Sequence, residues 1–182
     1  MSGLDWMLTE RPRPEPEIRP ITIREAEPAE LILLIGNVGT GKSRTARRLA
    51  LEGALVVCGD DLVTMGGAGN YSAWDPKRHR ILKAGEDAIV RAALNAGQTI
   101  VVDRTLMTRD HRLHFINMAR CRRCAVIGYD FGPGTPETLA RRQAEPRGLP
   151  PERWAAIHDK LQRSYQRPEK DEGFEAIYRV AP

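Results

Sequence analysis

Residues Gly36-Asn37-Val38-Gly39-Thr40-Gly41-Lys42-Ser43 match the pattern G-x-x-x-x-G-K-[ST] in full, and they directly follow the unbroken apolar run Leu31-Ile32-Leu33-Leu34-Ile35. A run of that length and composition reads as a central strand buried on both faces, and the end of the pattern opens a helix predicted over about Lys42 to Glu52. Glycines at 36, 39 and 41 let the backbone curl so that successive N–H groups converge on phosphate oxygens, in line with the positive end of the helix behind them. A chance glycine-rich turn is the alternative, and the strand, loop and helix context weighs against it.

The loop therefore predicts a nucleotide site for ATP with Mg2+, made by Gly36, Asn37, Val38, Gly39, Thr40, Gly41, Lys42 and Ser43, with Thr45 counted among the nucleotide contacts. Lys42 places a point charge at the β- and γ-phosphates, and Ser43 offers a neutral hydroxyl oxygen of the kind magnesium accepts alongside waters and phosphate.

The same strand pattern returns at Ala54–Cys58, Thr99–Val102, Ala125–Tyr129 and Ile177–Val180, with helical apolar spacing over Asp75–Asn95 and Thr108–Arg120 and Gly97 as a stop. Alternating strands and helices predict an α/β fold, a P-loop NTPase-type three-layer sandwich with a central parallel sheet. Residues 31–182 form that unit, with an arginine-bearing lid at about 132–153. Residues 1–30, rich in proline and charge, read as an extended arm in which Ile21-Thr22-Ile23 is a candidate edge strand. Met65–Asn70 reads as a mobile loop.

At 182 residues there is room for one ordinary domain and not for a second catalytic one. Hydrophobic residues make up 41% and charged residues 29%, as in soluble chains, and no apolar run reaches the roughly 18 residues of a membrane span. No secretory signal pattern opens the sequence, and Cys58, Cys121 and Cys124 are too few for a disulfide framework, so a cytoplasmic protein with free thiols and no membrane partner is expected. Lys and Arg outnumber Asp and Glu by 28 to 24, which favours anionic partners, nucleotides and nucleic acids alike. Composition leaves a homo-oligomer open.

A phosphate loop alone does not name a reaction. Asp60 and Asp61 follow the second predicted strand, at the carboxyl edge where open α/β sheets bind their ligands. Asp60 is the candidate base that accepts a hydroxyl proton as the bond to phosphorus forms, and capping of a turn or helix is the competing role for either aspartate. Asp103 ends the third strand and is the candidate holder of a magnesium-bound water, or a turn-starting residue. Arg141, Arg142, Arg147 and Arg153 fall in the lid, where arginine can neutralise charge on a transferring phosphoryl group; a solvated arginine-rich face is the other reading. Between 104 and 123 lie Arg104, Arg109, Arg112, Arg120, Arg122 and Arg123 against Asp110 alone, either an attractor for a phosphate backbone or a solvated helix face. Asp103, Arg104 and Arg109 are taken as the acceptor-side contacts. His111-x-x-His114 and Cys121-x-x-Cys124 carry zinc-type ligands, but their spacing is unusual and structural or surface thiols are the preferred reading.

From about Leu31 to Val180 the chain resembles the polynucleotide 5′-hydroxyl kinase family, the end-healing kinases of phage and bacterial nucleic-acid repair. The phosphate loop carries the resemblance together with Asp60-Asp61 and Val101-Val102-Asp103-Arg104-Thr105, where the family often has V-D-x-T-N. The ending completes it: Tyr165-Gln166-Arg167-Pro168 and Glu172-Gly173-Phe174-Glu175-Ala176-Ile177 look like the family's Y-x-x-P and E-G-F-x-x-I. The resemblance implies an ATP-dependent phosphotransferase acting on 5′-hydroxyl ends of RNA or DNA. In that reading Lys42 and Ser43 serve phosphates and magnesium, Asp60 activates the hydroxyl, Arg147 is the lid arginine and Arg142 a second basic lid position. Val63 stands where the phage enzymes have an arginine three residues after the base, and Leu106 where the run ends in Asn, so the acceptor pocket departs from the pattern. No D-x-D-G-[ST] phosphatase signature is present, and kinase activity alone is expected. A kinase of a small metabolite or nucleotide and a slowly hydrolysing regulatory module are the competing functions.

Overall fold

The computed structural model describes residues 29–67 and 76–180. The expected arm, its Ile21–Ile23 strand, the tip of the 65–70 loop and the expected helix start at Asp75 lie outside the described residues.

Five strands form one all-parallel sheet in the order β2-β3-β1-β4-β5. They are β1 (Glu30–Ile35), β2 (Leu55–Cys58), β3 (Ile100–Asp103), β4 (Ala125–Asp130) and β5 (Ala176–Arg179). The strand with the longest apolar run takes the centre: Leu31 lies opposite both Ile100 and Val126, and Leu31 through Ile35 are all buried. Successive β1 side chains point to opposite faces, which builds two cores. Leu31, Leu33 and Ile35 pack with Val90, Leu94, Phe115, Ile116 and Ala119 from α3 (Pro76–Asn95) and α4 (Arg109–Arg120). Ile32 and Leu34 pack with Ala46 and Leu49 from α1 (Lys42–Leu51). The sheet between these two helical layers is the expected three-layer sandwich.

Three helices escaped sequence reasoning. After β2 the chain enters α2 (Gly59–Gly66) at once, so Asp60 and Asp61 stand in a helical first turn, and Met65 and Gly66, expected in a loop, end that helix. Glycine at both ends and no buried residue in between leave such a segment without a helical sequence signal. The lid region folds as α5 (Pro136–Ala144) and α6 (Pro151–Ser164). Thr135 caps α5 reciprocally with Thr138, and Pro136 and Pro151 stand at helix starts, where a missing N–H costs nothing.

The ending is fastened to α4 by a buried, bidentate ion pair. Arg112 donates from Nε and Nη2 to Glu172 at 2.7 Å each, and its Nη1 reaches the carbonyls of Leu106 and Gln166. Glu172 itself sits in a single 3-10 turn, Lys170–Glu172. Removing one partner of such a pair strands the other charge in the core, so Arg112→Ala is expected to lower stability by about 3–5 kcal/mol, read by urea unfolding.

Candidate active site

The strand order reverses at β1, whose neighbours β3 and β4 lead away to opposite edges, and the carboxyl ends of β1 and β3 open the crevice where such sheets take ligands. The phosphate loop crosses it. Gly39 and Gly41 hold φ of 73° and 97°, left-handed values that a side chain would resist, and Gly41 is the N-cap of α1. Gly36 donates to the Thr105 carbonyl at 2.8 Å, and the Asn37 amide group, fully buried, donates to the carbonyls of Pro133 and His158. Asn37 thus ties the loop to the segment before α5 and to α6. A Cβ on Gly39 would lie 2.0 Å from the Thr138 carbonyl oxygen, so α5 rests directly on the loop.

Lys42 is buried, and its Nζ donates to the Asn37 carbonyl at 2.6 Å. Burial pushes its pKa down to about 8; Asp103 and Asp60 pull it back up, and Arg142 adds to the fall. Ser43 hydrogen-bonds Asp103, whose carboxyl burial holds above its usual range. Cys58, at the end of β2, is pushed up to about 12, chiefly by burial and next by Asp103, so it stands in the crevice as a thiol.

One cavity of about 670 Å³ joins these groups. It runs from Val38, Lys42 and Ser43, past Asp60 and Asp103, to a second end lined by His79, Lys83, Arg104 and His111. The lid contributes Arg142, which lies over the Trp154 ring at 4.9 Å and faces the same space. Arg147 occupies the turn between α5 and α6 at a φ of 47°, and its Nη1 meets Asp60 Oδ2 at 3.3 Å. A non-glycine residue in that region costs about 1–2 kcal/mol, a strain that marks the turn as shaped around the arginine.

The structure therefore gathers Lys42, Ser43, Asp60, Asp103, Arg104, Arg142 and Arg147 at one crevice. Thr45 sits in the first turns of α1 and does not line the cavity. Arg109 is on the outer surface, paired with Asp171 at 2.9 Å, and also lies off the cavity. Its neighbours in the arginine-rich stretch are engaged in the same way: Arg112 with Glu172, Arg120 with the Glu172 carbonyl, Arg122 with Asn95. Arg109, Arg112, Arg120 and Arg122 thus tie α4 to its surroundings, and of the stretch Arg104 lines the crevice. The zinc-type residues are likewise dispersed, with His114 on Asp87 at 2.8 Å, and among the described residues no group of His, Cys, Asp or Glu gathers to hold a metal ion.

Ser43 and Asp103 do suit a magnesium ion held mainly by phosphate and water: a hydroxyl hydrogen-bonded to a carboxylate at the mouth of a phosphate loop offers hard oxygens on one side only. His79, Lys83 and His111 line the crevice but went unmarked in the sequence because nothing local ties α3 or α4 to the loop. Their one sequence signal is the spacing of His79 and Lys83, four apart and so on one helical face. Among the described residues no helix is long and apolar enough to cross a membrane.

A family model described as an AAA domain matches residues 31–168, and the chain belongs to that family. No curated protein matches it. Among solved structures, one in a Pnkp1/Rnl/Hen1 RNA repair complex matches with a TM-score of 0.63 at 18% identity, covering 75% of this chain and 45% of that one. The chain thus spans less than half the length of that protein. An APS kinase from Mycobacterium tuberculosis matches at 0.57 and 18% identity, covering 85% and 88% of the two chains. A gluconokinase from Sinorhizobium meliloti matches at 0.54 and 17%, covering 85% and 82%. Likeness at these identities establishes the shared P-loop kinase-like fold.

Proposed function

We propose that this AAA-domain chain is an ATP-dependent polynucleotide 5′-hydroxyl kinase that moves the γ-phosphoryl group of ATP to 5′-hydroxyl ends of RNA or DNA. The observation that carries the reading is one cavity whose lining joins Lys42 and Ser43 of the phosphate loop with Asp60 and with Lys83, Arg104, Asp110 and three histidines. Lys83 and Arg104, opposed there by Asp110, suit an acceptor that is itself anionic, and the net charge of +4 points the same way. The sequence resemblance in the Asp60-Asp61 pair and the Glu172–Ile177 ending supports it independently.

Each residue then has a defined task. The backbone of residues 36–43 and Lys42 hold the β- and γ-phosphates, and Asp60 accepts the proton as the acceptor oxygen forms its bond to phosphorus and the bond to the ADP oxygen breaks. Arg147 and Arg142 neutralise charge on the moving group from the lid side. Ser43 and Asp103 would hold a magnesium ion, which would neutralise charge at the phosphate oxygens.

A small alcohol as acceptor is the second reading, favoured by a cavity volume within the range of small-molecule sites. The test is transfer of labelled γ-phosphate to 5′-hydroxyl oligonucleotides of each kind. Label on the 5′ end, abolished by EDTA, is expected. ATP binding with no labelled RNA or DNA would overturn the polynucleotide reading in favour of the small acceptor.

A further inference from the structure

Glu86 is buried to 1% exposure on α3, and among the described residues neither of its carboxylate oxygens has a hydrogen-bond partner. Among the described residues its ion-pair partner is Arg104 Nη1 at 3.1 Å, without hydrogen-bond alignment, and Lys83 and Asp87 also act on it. Burial raises the Glu86 pKa and Arg104 opposes that rise. A carboxylate so placed costs folding free energy, because the pair recovers only part of the desolvation. Residues that weaken the fold in this way concentrate where a site needs them.

The geometry shows what is gained. Arg104 leaves the end of β3 and lies across Gly59, where a Cβ would come 2.9 Å from both Nε and Nη2. Gly59 immediately precedes Asp60, so absence of a side chain there lets a guanidinium lie beside the candidate base. Val63 and Leu82 wall the same spot with apolar surface. Arg104 is still 28% exposed and lines the cavity together with Gly59. His79, Lys83 and Glu86 are spaced four and three apart on one face of α3: the first two line the cavity, and the third anchors the arginine. Asp110 is the opposing acid at this end.

We infer that Arg104, with Lys83 beside it, grips a phosphoryl group carried by the acceptor, and that Glu86 is the positioning residue that holds Arg104 over Gly59 for this purpose. The inference rests on the kinase reading for the identity of the acceptor and goes further in naming which group of the acceptor is held, and by what. A planar guanidinium with one edge fixed presents its remaining N–H groups in the fork that matches phosphate oxygens, which a lysine in that position would not reproduce.

The experiment compares two acceptors that share a 5′-hydroxyl, a nucleoside and its 3′-phosphate. Binding of each is measured by calorimetry on protein saturated with Mg2+ and ADP, and transfer from ATP is measured separately. Wild type is expected to bind the 3′-phosphate at least about tenfold more tightly, as one or two charge-assisted hydrogen bonds provide. Arg104→Ala and Glu86→Gln should each bring the two acceptors to within about threefold, with ADP affinity unchanged; Arg104→Lys should fail to restore the difference. Gly59→Ala keeps every charge and is the control against loss of fold: it should raise KM for the phosphorylated acceptor and leave KM for ATP alone. Equal binding of both acceptors by wild type, or a preference that survives in Arg104→Ala, overturns the inference. A preference that the variants abolish, with no transfer to either acceptor, upholds the anion site and overturns the 5′-hydroxyl reading instead.

Discussion

Replacing Lys42 with methionine is expected to abolish phosphoryl transfer while raising the melting temperature of the protein measured without nucleotide. The two effects have one cause. The amine is buried, and its pKa falls from 10.5 to about 8, with burial the largest contribution. Between those two values the unfolded chain binds more protons than the folded one, so stability rises with pH across that window. Below pH 8 both states are protonated and the folded state carries the full penalty, roughly 3 kcal/mol for a shift of this size. Methionine fills similar volume without charge, so Lys42→Met should unfold at a higher temperature at pH 7, with the difference shrinking as pH rises from about 8 to 10.5. The cost in function is larger: without a cation at the β- and γ-phosphates, kcat should fall by about three orders of magnitude or more. Because phosphate favours the charged amine, nucleotide binding near pH 8.5 should take up protons, detectable as a buffer-dependent heat in calorimetry. A variant that is both less stable and inactive would show that the Lys42 Nζ bond to the Asn37 carbonyl outweighs the desolvation, and that the lysine is structural as well as functional.

What could be read from the sequence, and what could not, divides along the distance between interacting residues. The central strand and the phosphate loop are local: five apolar residues and eight motif positions specify their own geometry, and the structure places them as the spacing predicts. The strand ends at Cys58 and Asp103 follow from the same local patterns, and they bring Asp60 and Asp103 to the crevice by topology alone. The arginine-rich stretch could not be resolved this way. Whether Arg109 and Arg112 face solvent or protein depends on Asp171 and Glu172, about sixty positions downstream, and no periodicity near 110 reports them. Glu86 is hidden for a related reason: an acid in a charged helical segment reads as a solvated face, and only the packing of α3 against β3 and α2 turns it inward. The lid was legible as a charged, proline-flanked segment, but the tie that Asn37 makes to it was not, since the two carbonyls it holds lie about a hundred positions away.

The Asp60 and Arg147 pair sets the second large expectation, and its exposure decides how the result is to be read. The two side chains are 45% and 34% exposed, and an ion pair so placed contributes at most about 1 kcal/mol, a factor of a few in any rate that depended on it alone. Asp60→Asn keeps the shape of the carboxylate but cannot take up a proton; kcat should fall by about 10² to 10⁴ while the KM for ATP stays near its wild-type value. Arg147→Ala should also lower kcat by about 10³ if the guanidinium leaves Asp60 for the transferring phosphoryl group in the reaction. A drop of less than tenfold would instead confine Arg147 to holding Asp60 in place. The double variant separates the roles further. Residues acting at the same step on different atoms lose activity more than either alone, whereas an arginine that serves only the carboxylate adds nothing once Asp60 is gone. Near-additive losses in kcat, with ATP affinity unchanged in all three proteins, would show that the base and the lid arginine contribute independently to the transfer step.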